Sequence, residues 1–321
     1  MNILVVRTDK LGDFITALPS IYVLRKHDAN NRIIVCVAPL NVGLAKECDF
    51  IDEVIVDELE SSVFALAQKI KDAKIDASVT LFSNTRVALA QFLARIPQRI
   101  APATKIAQIF YNYRVKQKRS EVKMAEFEYN LALTKELFPD ISLEYKKPLL
   151  SFDDATKIYD VFCVNNDINR KVVAFHVGFG GSSDANWNLD EYEILIREVL
   201  KQDKYQVVLT FGPDEVELYE DMQMRLRDTN IVFYLSLDGL VYFAKLVSQF
   251  KLFVSTSTGT YHIASLVGCA TMTFFGDSLF ASAKRWKGVG DEKLQEHFML
   301  PIEQEKRAII FEDVKKKLSL F

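Results

Sequence analysis

A chain of 321 residues is longer than one hydrophobic core usually fills, since single cores stop growing near about 250–300 residues, and two α/β domains are expected. Apolar residues make up 49% and charged residues 26%, an ordinary globular balance, and the net charge of −3 gives no reason to expect nucleic acid as a partner. Four scattered cysteines (Cys36, Cys48, Cys163, Cys269), with no CxxC pair and no metal spacing, read as reduced thiols of a cytoplasmic protein without a metal site.

The N-terminus enters a strand at once, without the basic and apolar regions of a signal peptide. No apolar run reaches the roughly 18–20 residues of a membrane span. A lipid substrate would therefore be met at the membrane surface from the cytosol.

Along the first half, short apolar runs alternate with helical stretches, the βα pattern of a parallel sheet. Strands are expected at Ile3–Arg7, Ile33–Ala38, Glu53–Asp57 and Asp76–Phe82, and helices at Phe14–Lys26 and Ser61–Ala73, the second capped by Ser61-Ser62. Residues 105–123 break the pattern: Lys105, Arg114, Lys116, Lys118, Arg119 and Lys123 are interleaved with Phe110, Tyr111 and Tyr113. This is either a solvated loop or a cationic surface for an anionic acceptor. A helix from about Ala125 to Phe138 follows, and 139–156 reads as a domain connector.

The alternation restarts at Lys171–Val177. Further strands are expected at Gln206–Phe211, Ile231–Leu235, Leu252–Ser255 and Thr271–Phe275, with helices at Leu189–Lys201, Asp214–Arg227, Asp238–Gln249 and Thr260–Val267. Ligands of open α/β sheets sit beyond the carboxyl ends of the strands, so those loops should line a cleft between the domains. Phe311–Phe321 reads as an amphipathic helix, either returning to the first domain or touching the membrane peripherally through Lys315–Lys317.

Four strand-end constellations could carry chemistry. Arg7-Thr8-Asp9-Lys10-Leu11-Gly12-Asp13 follows the first strand, where Asp13 is either a helix-capping acid or a general base for an attacking hydroxyl. His176-Val177-Gly178-Phe179-Gly180-Gly181-Ser182-Ser183 could turn main-chain N–H groups toward an anion, or be an ordinary Gly-rich turn. Ser255 to His262 (STSTGTYH) sets five hydroxyls and a glycine at a helix start, a pyrophosphate cradle or an over-supplied N-cap. His262 alone reads as a packed histidine rather than a catalyst. Phe211-Gly212-Pro213-Asp214-Glu215 offers an acid for ribose hydroxyls or a plain turn.

Together these segments resemble glycosyltransferase family 9, the family of the ADP-heptose:lipopolysaccharide heptosyltransferases. Ile3 through Asp13 to Ala17-Leu18-Pro19 is similar to its N-terminal signature, and His176–Trp187 (HVGFGGSSDANW) to its central phosphate loop. Ser257–Ala264 (STGTYHIA), ending in Phe275-Gly276, is similar to its C-terminal signature, and Ser236–Leu240 to its segment near the adenine.

The resemblance implies a GT-B fold: two Rossmann-like α/β domains (1–150 for the acceptor, 151–305 for the donor, 306–321 a terminal helix) whose parallel sheets face a central cleft. It implies an inverting, metal-independent transfer with Asp13 as general base and no cofactor beyond the nucleotide sugar, taken as ADP-heptose. The acceptor implied is a lipid-linked lipopolysaccharide or lipooligosaccharide core at the inner face of the cytoplasmic membrane. Donor-side candidates are Lys10, Gly12, Gly180, Gly181, Ser182, Ser183, Asn186, Glu215, Leu235, Leu237, Ser257, Thr258, Gly259, Thr260 and His262; Arg7, Arg114, Lys116 and Lys118 are assigned to the acceptor.

Two positions depart from the family pattern. Ala185 stands where many members have a phosphate-binding lysine, and Ser257 where they often have an aspartate on the heptose. The alternatives are thus another nucleotide sugar for a capsule or surface glycan, or an inactive nucleotide-sugar-binding protein.

Overall fold

The computed structural model describes residues 1–104, 106–179 and 185–321. The chain forms two compact units, Met1–Lys146 and Lys147–Phe321.

The first unit holds strands β1 (Asn2–Arg7), β2 (Arg32–Val37), β3 (Glu53–Val56), β4 (Ala77–Thr80), β5 (Gln98–Pro102) and β6 (Tyr113–Val115). Its helices are α1 (Leu11–His27), α2 (Val42–Lys46), α3 (Val63–Asp72), α4 (Thr85–Leu93) and α5 (Glu126–Thr134). The sheet is parallel, in the order β3-β2-β1-β4-β5-β6. Strand order reverses between β1 and β4, and right-handed crossovers then place α1 and α3 on opposite faces. Leu4, Val6, Ile34 and Cys36 pack against Leu66 and Ile70 of α3 and Val87 and Ala90 of α4. Helix starts are locally encoded: Ser62 accepts from the Ala65 amide at 3.1 Å and Asn84 from Val87 at 2.9 Å, caps that contribute about 1 kcal/mol each.

The second unit repeats the plan with β7 (Lys171–His176), β8 (Tyr205–Phe211), β9 (Val232–Leu235), β10 (Leu252–Thr256), β11 (Thr271–Gly276) and β12 (Gln295–Leu300). Between and around them lie α6 (Ala155–Asn165), α7 (Leu189–Leu200), α8 (Val216–Arg225), α9 (Gly239–Val247), α10 (Gly259–Leu266), α11 (Ala283–Trp286) and α12 (Gln304–Leu320). Its parallel order is β12-β11-β10-β7-β8-β9, reversing between β7 and β10.

The expected strands are present, each within a few residues, but β5, β6 and β12 were not foreseen. β6 is a three-residue edge strand whose Tyr113 and Arg114 are exposed, and β12 buries only Phe298 and Leu300, so neither shows the apolar run of a central strand. In the terminal helix, Val314 and Leu318 of α12 are buried in the core of the second unit, beside Val199 and Phe298. Lys317 of the same helix pairs with Glu296 at 3.1 Å, and Ile309 and Leu320 remain exposed on it. No helix among the described residues is long and apolar enough to cross a membrane.

Candidate functional site

Each unit places its conspicuous sequence at the carboxyl ends of the strands that flank the reversal of strand order, where open α/β sheets bind ligands. In the first unit this is the loop after β1. Arg7 is the last residue of that strand and is fully buried, because α5 covers it. Its Nε donates to Asp9 Oδ1 at 2.8 Å and its Nη2 to Asp13 Oδ1 at 2.5 Å. Its Nη1 reaches Glu126 Oε1 and Asn130 Oδ1, both at 3.4 Å, from successive turns of α5. Glu126 also receives Arg119, and Asn130 donates to the Thr16 carbonyl at 3.1 Å, tying α5 to α1.

Burial works against the Arg7 guanidinium, but Asp9, Asp13 and Glu126 more than offset it and raise its pKa. Asp9 responds in the other direction. Burial, helped by the charge of Asp13 and opposed by Arg7, pushes its carboxyl up to about 6. Asp13 sits in the first turn of α1, yet it does not cap the helix through its side chain, which is turned to Arg7.

Arg7, assigned above to the acceptor, donates from each of its three nitrogens to protein oxygens and so positions the Asp9 and Asp13 carboxylates. Lys10 is the exposed N-cap residue of α1, and Gly12 lies in the helix's first turn. Arg114, Lys116 and Lys118 are exposed on and after β6; the Arg114 Nε donates to the Tyr111 carbonyl at 2.9 Å, and Lys118 pairs with Glu121 at 3.2 Å.

In the second unit, the buried ring of His176 ends β7. Its Nδ1 lies 2.9 Å from the Thr210 carbonyl, which can only accept, so Nδ1 carries the proton and Nε2 faces Glu215 Oε2 at 3.8 Å. Burial lowers the His176 pKa, with Glu215 opposing. Glu215 Oε2 accepts from the Gly212 amide at 2.7 Å. A Cβ at Gly178 would fall 1.9 Å from Glu215 Oε1, so only glycine there leaves the carboxylate in place. Gly178, Phe179, Gly212, Pro213, Glu215 and Leu218 line a cavity of about 360 Å³, within the range of small-ligand sites. Leu235 pairs with Phe211 across β9 and β8 and packs on the core beside this turn, whereas Leu237 is exposed.

After β10, Ser257 and Thr258 lead into α10. Thr258, its N-cap, is nearly buried and shares a 2.8 Å hydroxyl bond with Thr260, which joins Gly259 in the first turn. His262, one turn in, is buried, and its Nδ1 has no hydrogen-bond partner among the described residues. Burial lowers its pKa to about 4. A helix N-terminus with an adjoining unsatisfied buried ring nitrogen suits an anion's oxygens.

Asn186 braces its own loop. Its Nδ2 donates to the Val177 carbonyl at 3.1 Å, and its Oδ1 accepts from the Tyr192 hydroxyl at 2.7 Å. Gly180, Gly181, Ser182 and Ser183 lie outside the described residues. Among the described residues there is no cluster of three metal-ligating side chains.

Sequence reasoning missed two cations near these loops. Arg307 of α12 lies over the Trp187 ring at 4.5 Å and donates to the Asn186 carbonyl at 2.6 Å. Arg285 lies over Phe280 at 3.7 Å and Trp286 at 4.9 Å, and Trp286 in turn meets His262 edge-on. The aromatic neighbours Trp187 and Trp286, the chain's two tryptophans, were the available signal for both.

Comparison with known proteins bears on these loops. The model of the family described as glycosyltransferase family 9 (heptosyltransferase) matches residues 63–310. A provisionally named glycosyltransferase of Haemophilus influenzae is 33% identical over 334 residues, spanning 100% of this chain and 96% of its own. Lipooligosaccharide heptosyltransferase 2 of Campylobacter jejuni serotype O:2 is 21% identical, over 86% of this chain and 81% of its own. The structure of Escherichia coli ADP-heptose LPS heptosyltransferase II is similar with a TM-score of 0.78, covering 99% of both chains at 17% identity, a likeness of fold.

Proposed function

The chain belongs to glycosyltransferase family 9 and is a GT-B transferase; from that premise we propose that it moves heptose from ADP-heptose onto a lipid-linked oligosaccharide core, with inversion. The observation that carries the reading is the Asp13 carboxylate, fixed by a buried arginine at the carboxyl end of β1 yet left with a fifth of its side chain exposed. A helix cap needs no such support.

Asp13 takes the proton from the acceptor hydroxyl as its oxygen bonds to the anomeric carbon. The bond from that carbon to the diphosphate breaks, and its electron pair leaves on the phosphate oxygen. The N-terminus of α10, with Thr258, Thr260 and His262, is the assigned seat of that charge, the kind of preorganised contribution that dominates many enzymes. Glu215 is assigned to the ribose and the cavity beside Gly178 and Gly212 to the nucleoside. The reaction is proposed to need neither metal nor resident cofactor, and to occur at the cytoplasmic face of the membrane.

A second reading keeps the reaction and changes the donor. The neutral Ala185 and Ser257 favour it, because each removes a charge from the donor loops. Calorimetry with ADP, UDP and GDP separates the two: preference for ADP supports heptose transfer, and preference for UDP or GDP moves the function to another glycan. For the mechanism, Asp13→Asn should lower turnover about 10²–10⁴-fold while nucleotide affinity holds. Unchanged turnover would remove Asp13 as base.

A further inference from the structure

Between Asp76 and Glu121 the chain contains no aspartate or glutamate, while it carries Arg86, Arg95, Arg99, Lys105, Arg114, Lys116, Lys118 and Arg119. In a protein of net charge −3 this is a strong local excess of positive charge. Three of these cations have acidic partners: Arg86 with Asp57, Lys118 with Glu121 and Arg119 with Glu126. Arg95, Arg99, Arg114 and Lys116 have no carboxylate partner among the described residues, and they border a group of exposed apolar side chains.

The fold brings that group together. The turn Ile106–Phe110 packs on α4: Ala107 is buried against Ala88, and the Phe110 ring lies 5.6 Å from Phe92. This leaves Ile106 76%, Ile109 60% and Phe92 48% exposed. Arg99 lies over Phe92 at 5.6 Å and donates to the Phe110 carbonyl at 2.8 Å. Arg114 pairs with Ala101 across β6 and β5, and Ala101 packs with Ala88 and Ala107. Paired residues of neighbouring strands share a face, so Arg114 springs from the α4 side at the open edge of the sheet.

We propose that this edge of the first unit, centred on Phe92, Ile106 and Ile109 and bordered by Arg95, Arg99, Arg114 and Lys116, docks the protein on an anionic phospholipid surface. A soluble anion would use the cations but has no use for two isoleucines standing in water. An acyl-chain boundary beneath charged headgroups uses both. The cations project toward the headgroups while the isoleucines and Phe92 enter the interface. The inference goes beyond the transfer reaction, because membrane docking requires neither donor nor acceptor.

The test is co-sedimentation of the full-length protein with phosphatidylcholine vesicles, with and without phosphatidylglycerol. Binding should require the anionic lipid and weaken as salt is raised. Ile106→Asp/Ile109→Asp should lower partitioning about tenfold or more, with unfolding midpoint and ADP affinity as in the parent protein. Lys315→Ser/Lys316→Ser/Lys317→Ser should bind like the parent. The proposal is overturned if the parent does not bind anionic vesicles, if the isoleucine variant binds as well as the parent, or if only the terminal-helix variant loses binding. It is equally overturned if soluble polyphosphate binds this face while the isoleucines make no difference to vesicles. A failure of the Asp13 experiment leaves every one of these results standing.

Discussion

The loops at the two reversals of strand order solve the problem of a polar site in opposite ways. After β1, charge is crowded: one buried arginine holds Asp9, Asp13 and Glu126, with Arg119 behind them. After β7 and β10 the described loops are built from glycines, hydroxyls and two buried histidines whose pKa values burial lowers, with Glu215 the acid beside them. A base must be a carboxylate held at a fixed place. A seat for a departing diphosphate works better with neutral donors and a helix terminus, which receive an anion without first giving up a partner. The difference in charge therefore matches the roles proposed for the two units.

The sharpest way to break this comparison is to remove the cation at the centre of the first loop. Arg7→Met leaves three carboxylates around a buried apolar side chain, and breaking a buried ion pair from one side costs about 3–5 kcal/mol. Urea denaturation should show a loss of that order, and Arg7→Lys should recover only part of it, because an ammonium cannot reach Asp9, Asp13 and Glu126 with a planar fork. A loss below about 1 kcal/mol would mean that the carboxylates have other partners and that Arg7 does not organise the loop.

How much of this could be read from the sequence follows from where each interaction lies along the chain. The parallel βα alternation, the cap at Ser62, and the strand-end positions of Asp13, Glu215 and Thr258 depend on neighbours within a few residues, and the sequence shows them. The role of Arg7 does not, because Glu126 and Asn130 lie more than a hundred residues away and only the docking of α5 on α1 brings them close. The need for glycine at 178 was hidden in the same way, since the atom it makes room for belongs to Glu215 on the next strand's loop. The partner of the terminal helix was hidden too, because its amphipathic pattern states that it has a buried face, not against what.

Acid separates the two loops without any change in contacts. Asp9 has its pKa raised from 3.8 to about 6, so the folded state holds a proton that the unfolded chain has released. That contribution is fully present below pH 3.8 and is lost as pH rises through about 6, on the order of 3 kcal/mol. His262 is lowered from 6.5 to about 4, so its contribution is present above pH 6.5 and is lost as pH falls through about 4, again on the order of 3 kcal/mol. Stability measured against Asp9→Asn and against His262→Asn across this window should therefore change with opposite signs. The parent gains on the first variant and loses on the second as the solution is acidified. Curves of the same sign, or flat ones, would remove the electrostatic contrast between the loops.

The smallest effect tests Glu215, the acid facing His176. Gly178→Ala places a methyl where Glu215 Oε1 now lies, and the carboxylate must swing away, leaving the Gly212 amide without its partner. Overpacking of this kind costs about 1–3 kcal/mol in stability. If Glu215 meets the ribose, ADP should also bind about tenfold more weakly, equivalent to about 1.4 kcal/mol. Glu215→Gln is the companion variant, because it keeps the side chain's shape and an oxygen for the Gly212 amide while removing the charge opposite His176. Loss of ADP affinity in both variants assigns the carboxylate itself to the nucleotide. Loss in Gly178→Ala alone would assign the contribution to the shape of the turn. Full affinity in both would move the ribose away from Glu215 and leave this acid as a partner for His176.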